Sequence, residues 1–166
     1  MTARSTIAIL SVLSAACLTP AALAANWVPA SGQDAQNPAM IFTETDNGAA
    51  LLACSQDGKF IASLSNDGND FAKRMKAKAK YSRGATVALE VGERAITTAS
   101  WRWMPAIDTV LSTDHLQAAK IFNASVRGEP VSISVDGKPF TTLNLPKTDE
   151  TFSAFASTCK ERRNKN

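Results

Sequence analysis

Apolar residues fall along this chain in short runs broken by Gly, Asn and Asp, and only two stretches repeat with helical period. Met40–Thr45 (MIFTET) reads as a strand that ends at Asp46-Asn47-Gly48. Ala49–Cys54 (AALLAC) and Phe60–Leu64 (FIASL) flank the loop Ser55-Gln56-Asp57-Gly58-Lys59, a hairpin pattern. Thr86–Val91, Arg94–Trp103 and Thr109–Leu111 predict three further strands, the first two joined at Gly92-Glu93. Val131, Ile133 and Val135 alternate strictly, and Asp136-Gly137-Lys138-Pro139 then separates Pro130–Val135 from Phe140–Leu145 as another hairpin. Phe71–Arg83 (FAKRMKAKAKYSR) is mixed. Its residues are good helix formers, but Met75, Ala77, Ala79 and Tyr81 alternate with lysines, which predicts a strand from about Met75 with its lysines outward.

Ser112-Thr113-Asp114 is a helix-start signal for a helix over Asp114–Asn123. Leu116, Ala119, Phe122 and Val126 share one stripe, which is expected to pack on the sheet. A second helix follows Pro146, with Thr148 as its cap and Asp149 and Glu150 in its first turn, where the helix dipole favours negative charge. Phe152, Phe155, Ala156 and Cys159 line one face, and Lys160, Arg162 and Arg163 fall at the end that favours positive charge. This order predicts an α+β fold, mainly antiparallel β, two-layered and sandwich-like. One helix precedes the last hairpin and a C-terminal helix packs on the sheet. The predicted single domain spans 25–160, followed by a basic tail over 161–166.

The first 24 residues change the picture. Met1–Arg4 is a short basic start, Ile7–Leu18 an uncharged apolar core, and Ala22-Leu23-Ala24 a small-x-small cleavage pattern, so 1–24 reads as a signal peptide that is removed. The apolar run is shorter than the roughly 20 residues a membrane-spanning helix needs, so no transmembrane anchor is expected. Export to the periplasm or beyond follows. Ser14-Ala15-Ala16-Cys17 distantly resembles a lipoprotein box, an alternative in which Cys17 would be acylated and retained.

Once the leader is gone the chain keeps two cysteines, Cys54 and Cys159. In an oxidising compartment one intramolecular bridge is expected; unpaired thiols or an intermolecular bridge are the alternatives. The net charge of +3 on 166 residues is too mild to argue for a nucleic-acid partner.

Few residues offer chemistry. His115 is the only histidine, and no serine sits in a Gly-x-Ser-x-Gly setting, so no catalytic set is assigned. A hydrolase built from His115 with Asp108 or Asp114 and a hydroxyl is the remote rival. No metal site or cofactor is expected: Asp67 and Asp70 lack calcium-loop spacing, and the glycines occur singly at turns. The strongest binding candidate is the basic run Lys73, Arg74, Lys76, Lys78, Lys80 and Arg83, uninterrupted by an acid. It suits an anionic envelope polymer or lipid, or an acidic protein face. The alternative is an edge strand whose lysines block aggregation. Trp101 and Trp103, two apart, share one face of a strand with Arg102 on the other. Exposed, they would form a stacking platform; buried, they are core.

The early Trp27, the strand ALLAC, the strand and turn VALEVGER, the helix AAKIFNAS, the strand FTTLNLP and the helix FSAFASTC occur in a telling order. In order and spacing the chain resembles the small exported accessory proteins of Gram-negative bacteria typified by the VasI proteins of type VI secretion. It is more distantly similar to the invasion-associated locus B proteins of alphaproteobacteria. It departs from the first group at Glu90-Val91-Gly92-Glu93, where Arg-x-Asp is usual. It departs again at Leu143-Asn144-Leu145-Pro146, where Phe-Asp-x-x-Gly is expected. The second group has more cysteines. The resemblance implies an exported two-cysteine scaffold and carries no site residues. The resulting expectation is a non-enzymatic binding or accessory module for an envelope protein or anionic envelope component, with an inhibitor or immunity-type protein as the alternative.

Overall fold

A computed structural model describes residues 25–68, 73 and 81–165. The leader, with Cys17, lies outside the described residues, as do Arg74, Lys76, Lys78, Lys80 and most of the strand expected from Met75. Lys73 is helical and exposed, and Tyr81 is not in a strand.

Nine strands form one antiparallel sheet. They are β1 Val28–Pro29, β2 Met40–Thr45, β3 Gly48–Cys54, β4 Phe60–Ser65, β5 Arg83–Val91, β6 Thr97–Met104, β7 Thr109–Ser112, β8 Val131–Val135 and β9 Lys138–Leu143. Their spatial order is β1-β2-β3-β4-β7-β6-β5-β8-β9. The sheet curls into a half-barrel: Thr141 Oγ1 on β9 donates to the Asn47 carbonyl at 2.6 Å, across the turn between β2 and β3. Gly48 is required there. Its φ is +144°, and a Cβ would lie 2.1 Å from the Ser65 carbonyl oxygen.

Two helices, α1 His115–Arg127 and α2 Glu150–Asn164, fill the inner face. The expected architecture is the one that forms, and its second layer is helical. Strand alternation sends Ile41, Leu52, Leu64, Val110, Val87, Ile133 and Leu143 inward against the helices. Phe60, Phe122, Phe152 and Phe155 form the aromatic centre, with Phe60 and Phe122 stacked 4.6 Å apart and Phe122 and Phe152 4.7 Å apart.

Cys54 and Cys159 are bridged, with Cα atoms 5.8 Å apart, so β3 is stapled to α2 across 105 positions of sequence. Around the staple, Arg162 Nη1 donates to the Cys54 and Ser55 carbonyls at 3.0 and 3.3 Å, and Arg163 Nη2 to the Gly58 carbonyl at 3.2 Å. These bonds keep α2 helical to Asn164, beyond the boundary expected at residue 160. Nearby, the exposed Asp57 carboxyl is held down to about 2 by hydrogen bonds from Lys59 and Ser55.

Trp27, 2% exposed, closes the other end of α2. Its indole donates to the Pro146 carbonyl at 3.3 Å and its ring lies 5.5 Å from Phe152. Asp149, not Thr148, caps the helix: its Oδ1 accepts the Phe152 N–H at 2.8 Å and its Oδ2 accepts the Trp27 N–H at 3.0 Å. Only a carboxylate has two oxygens to serve both amides, which explains the one-residue shift. Asp149→Ala is expected to lower unfolding stability by about 1–2 kcal/mol, read from urea denaturation, because a cap and a chain crossing are lost together.

Two other expectations shift. The stripe of α1 that faces the core is Ala118, Ile121, Ala124 and Ser125; Leu116 and Val126 are exposed, and Ala119 and Phe122 sit at its flank. The small alanines let the helix sit close to the sheet, and close approach sets its rotation more than side-chain size does. The last hairpin turns on Asp136-Gly137 alone, both with positive φ (50° and 78°), so Lys138 and Pro139 belong to β9. Pro139 is tolerated because β9 is the sheet's outer strand.

Candidate binding groove

The outer face of the sheet carries the candidate site, across β5, β6 and β7. β5 starts at Arg83, three residues before the apolar run, because Arg83, Gly84 and Ala85 pair with Trp103, Arg102 and Trp101. This register puts Gly84 opposite Arg102 on the outer face. A side chain at Gly84 would approach only the Ser100 hydroxyl, at 3.9 Å, so its absence leaves open space. The result is an open groove of about 720 Å³ whose walls include Gly84, Ser100, Arg102, Leu111, Thr113 and Asp114.

The charges in this groove are unevenly committed. Arg83 is fixed: its guanidinium pairs with Asp136 at 2.8 Å and lies 4.5 Å over the Trp103 ring. Asp136 also accepts the Thr86 N–H at 2.9 Å, and this bond, followed by Arg83, holds its carboxyl below the usual range. Asp114 caps α1 by accepting the Leu116 N–H at 2.8 Å. Arg102 is exposed and has no ion-pair partner among the described residues. The groove therefore offers one uncommitted cation amid hydroxyls. Ser82, just before β5, also lines the groove, and Tyr81 beside it is 59% exposed.

Trp101 and Trp103 share the inner face, opposite to Arg102. Trp101 is 3% exposed and Trp103 is half-buried beneath Arg83. Neither indole N–H has a hydrogen-bond acceptor among the described residues. Arg102 and Gly84 were not singled out by the sequence as site residues. The signal was the position of Arg102 on the strand face opposite the tryptophans.

His115 sits at the start of α1, and its Nδ1 accepts the Phe60 backbone N–H at 3.0 Å. The bond uses the Nδ1 lone pair and leaves the proton of neutral imidazole on Nε2. The ring stacks on Phe60 at 5.4 Å. Asp108 occupies a left-handed position (φ 44°) at the end of a 3-10 turn over Pro105–Ile107. Among the described residues, no three His, Cys, Asp or Glu side chains converge as metal ligands. Nor is any described helix long and apolar enough to cross a membrane. Comparison with protein-family models, with curated proteins and with solved structures returned no match.

Proposed function

We propose that this chain is an exported binding module, without catalytic chemistry of its own, that holds an anionic component of the cell envelope, polymer or lipid. The observation that carries this reading is the groove with its uncommitted Arg102; in sequence the basic run 73–83 ends at the first residue of the strand that forms one wall of it. A cationic surface of this kind raises the local concentration of a polyanion and loses that attraction as salt screens it. The Cys54–Cys159 bridge suits an oxidising compartment, and the leader supplies the route there. The resemblance to VasI-like accessory proteins implies the exported two-cysteine scaffold alone. His115 supports a non-catalytic reading, because its Nδ1 serves the Phe60 amide and its ring packs on Phe60.

The test is flotation of the purified disulfide-bonded protein with vesicles of phosphatidylglycerol in phosphatidylcholine, and with lipopolysaccharide. Binding is expected to weaken with rising salt and to be lost in Arg102→Glu and in the Lys76→Glu/Lys78→Glu/Lys80→Glu variant. Absence of binding to either anionic surface, or binding that both variants retain, would overturn the reading. An acidic envelope protein as the ligand is separated by the same variants, which would then fail to capture it in a pull-down while vesicle binding is absent in the wild type.

A further inference from the structure

A second cationic site lies away from the groove, between α1 and the hairpin joining β5 to β6. Lys120, Asn123 and Arg127 occur at i, i+3 and i+7 and so form one stripe of α1. Across from them stand Arg94 and Thr97 of the hairpin, and the cleft between, floored by Leu89 and Val91, encloses about 150 Å³. That is space for about five waters, enough for one tetrahedral oxyanion.

The cleft is built rather than incidental. Glu129 ties its two walls, accepting from Arg94 Nη2 at 3.1 Å and from Arg127 Nε at 2.7 Å. The Gly92 N–H donates to the Pro130 carbonyl at 2.9 Å, which holds the hairpin against the end of the helix segment. The charge does not balance. Arg94, Lys120 and Arg127 all line the cleft, Glu129 engages the two arginines, and Lys120 has no ion-pair partner among the described residues. Glu129 takes a single bond from each arginine, so other N–H groups of these exposed guanidiniums are left to exchange water for a ligand oxygen. Three cations lining one small cleft repel each other, and an anion bound among them relieves that repulsion.

We propose that this cleft binds a single phosphate group. A phosphate carries about −1.5 to −2 at neutral pH and presents several acceptor oxygens, which matches both the excess charge and the forked guanidinium donors. The group could be free phosphate or the phosphomonoester of a lipid headgroup.

The experiment is amide-resolved NMR titration of the disulfide-bonded protein with inorganic phosphate. A parallel flotation uses vesicles of phosphatidic acid in phosphatidylcholine. Saturable shifts confined to residues 92–97 and 120–129 are expected. Lys120→Ala leaves the Arg94–Glu129–Arg127 pairs in place and should raise the phosphate Kd about tenfold or more, the worth of one charged hydrogen bond. Glu129→Gln, which removes the competing negative charge, should lower it. Phosphate saturation without Lys120-dependent flotation identifies a soluble phosphate; Lys120-dependent flotation that phosphate competes away identifies the headgroup. Absence of both, or a Kd that Lys120→Ala leaves unchanged, overturns the proposal.

Discussion

Replacing Cys54 and Cys159 together by alanine is expected to destabilise the fold by about 2–5 kcal/mol. The closed loop spans 105 positions, and in the chain-entropy model a loop of that length restricts the unfolded ensemble by about 4–5 kcal/mol. The local packing does not disappear with the bridge, because Arg162 and Arg163 still reach the Cys54, Ser55 and Gly58 carbonyls. The loss should therefore appear as a lower midpoint with the same cooperative transition. A fall in Tm of roughly 6–15 °C is the size expected for a domain of this length. Thermal unfolding with and without reductant checks it, and an unchanged midpoint would show that the bridge constrains nothing the helix contacts do not already hold.

Phe155→Ala is expected to have a comparable or larger effect, about 3–5 kcal/mol. Phe155 is fully buried at the centre of the aromatic cluster, 6.0 Å from Phe60, 6.4 Å from Phe122 and 6.5 Å from Phe152. Those partners come from β4, α1 and α2, so truncation removes packing that joins both helices to the sheet. The rings around it are held by one another and by the staple, which limits how far the cavity can collapse. Urea denaturation of the variant should give a lower midpoint at an unchanged slope. A loss below about 1 kcal/mol would mean that the cluster relaxes freely into the space.

The strands that were legible in sequence are those with an apolar pattern of their own. MIFTET, ALLAC and FIASL fold as β2, β3 and β4 within a residue of their expected limits. The aromatic face of α2 was equally plain, since Phe152, Phe155 and Cys159 are the buried positions of that helix. What escaped was whatever depends on a distant partner. Arg83-Gly84-Ala85 has no strand pattern and becomes strand only by pairing with Trp101–Trp103. The rotation of α1 follows from how closely its alanines approach the sheet, which no helical wheel contains. The groove was invisible for the same reason: Gly84, Arg102 and Asp114 meet only through the order β7-β6-β5. The expected tryptophan pairing on one strand face did hold, and it is the reason Arg102 faces outward.

The staple also sets a timetable for biosynthesis. A ribosome that has just made Cys54 must add another 105 residues before Cys159 exists, roughly 5–20 s at ordinary elongation rates. Throughout that interval the first strands lack α2, whose Phe152 and Phe155 cover them, and Trp27 lacks Asp149 and Pro146. No N-terminal fragment can complete the core, so folding waits for the whole polypeptide and begins with contacts of long sequence separation, which form slowly. A chain whose core is incomplete until its last helix is made stays open, and its clasp unclosed, for as long as α2 is missing.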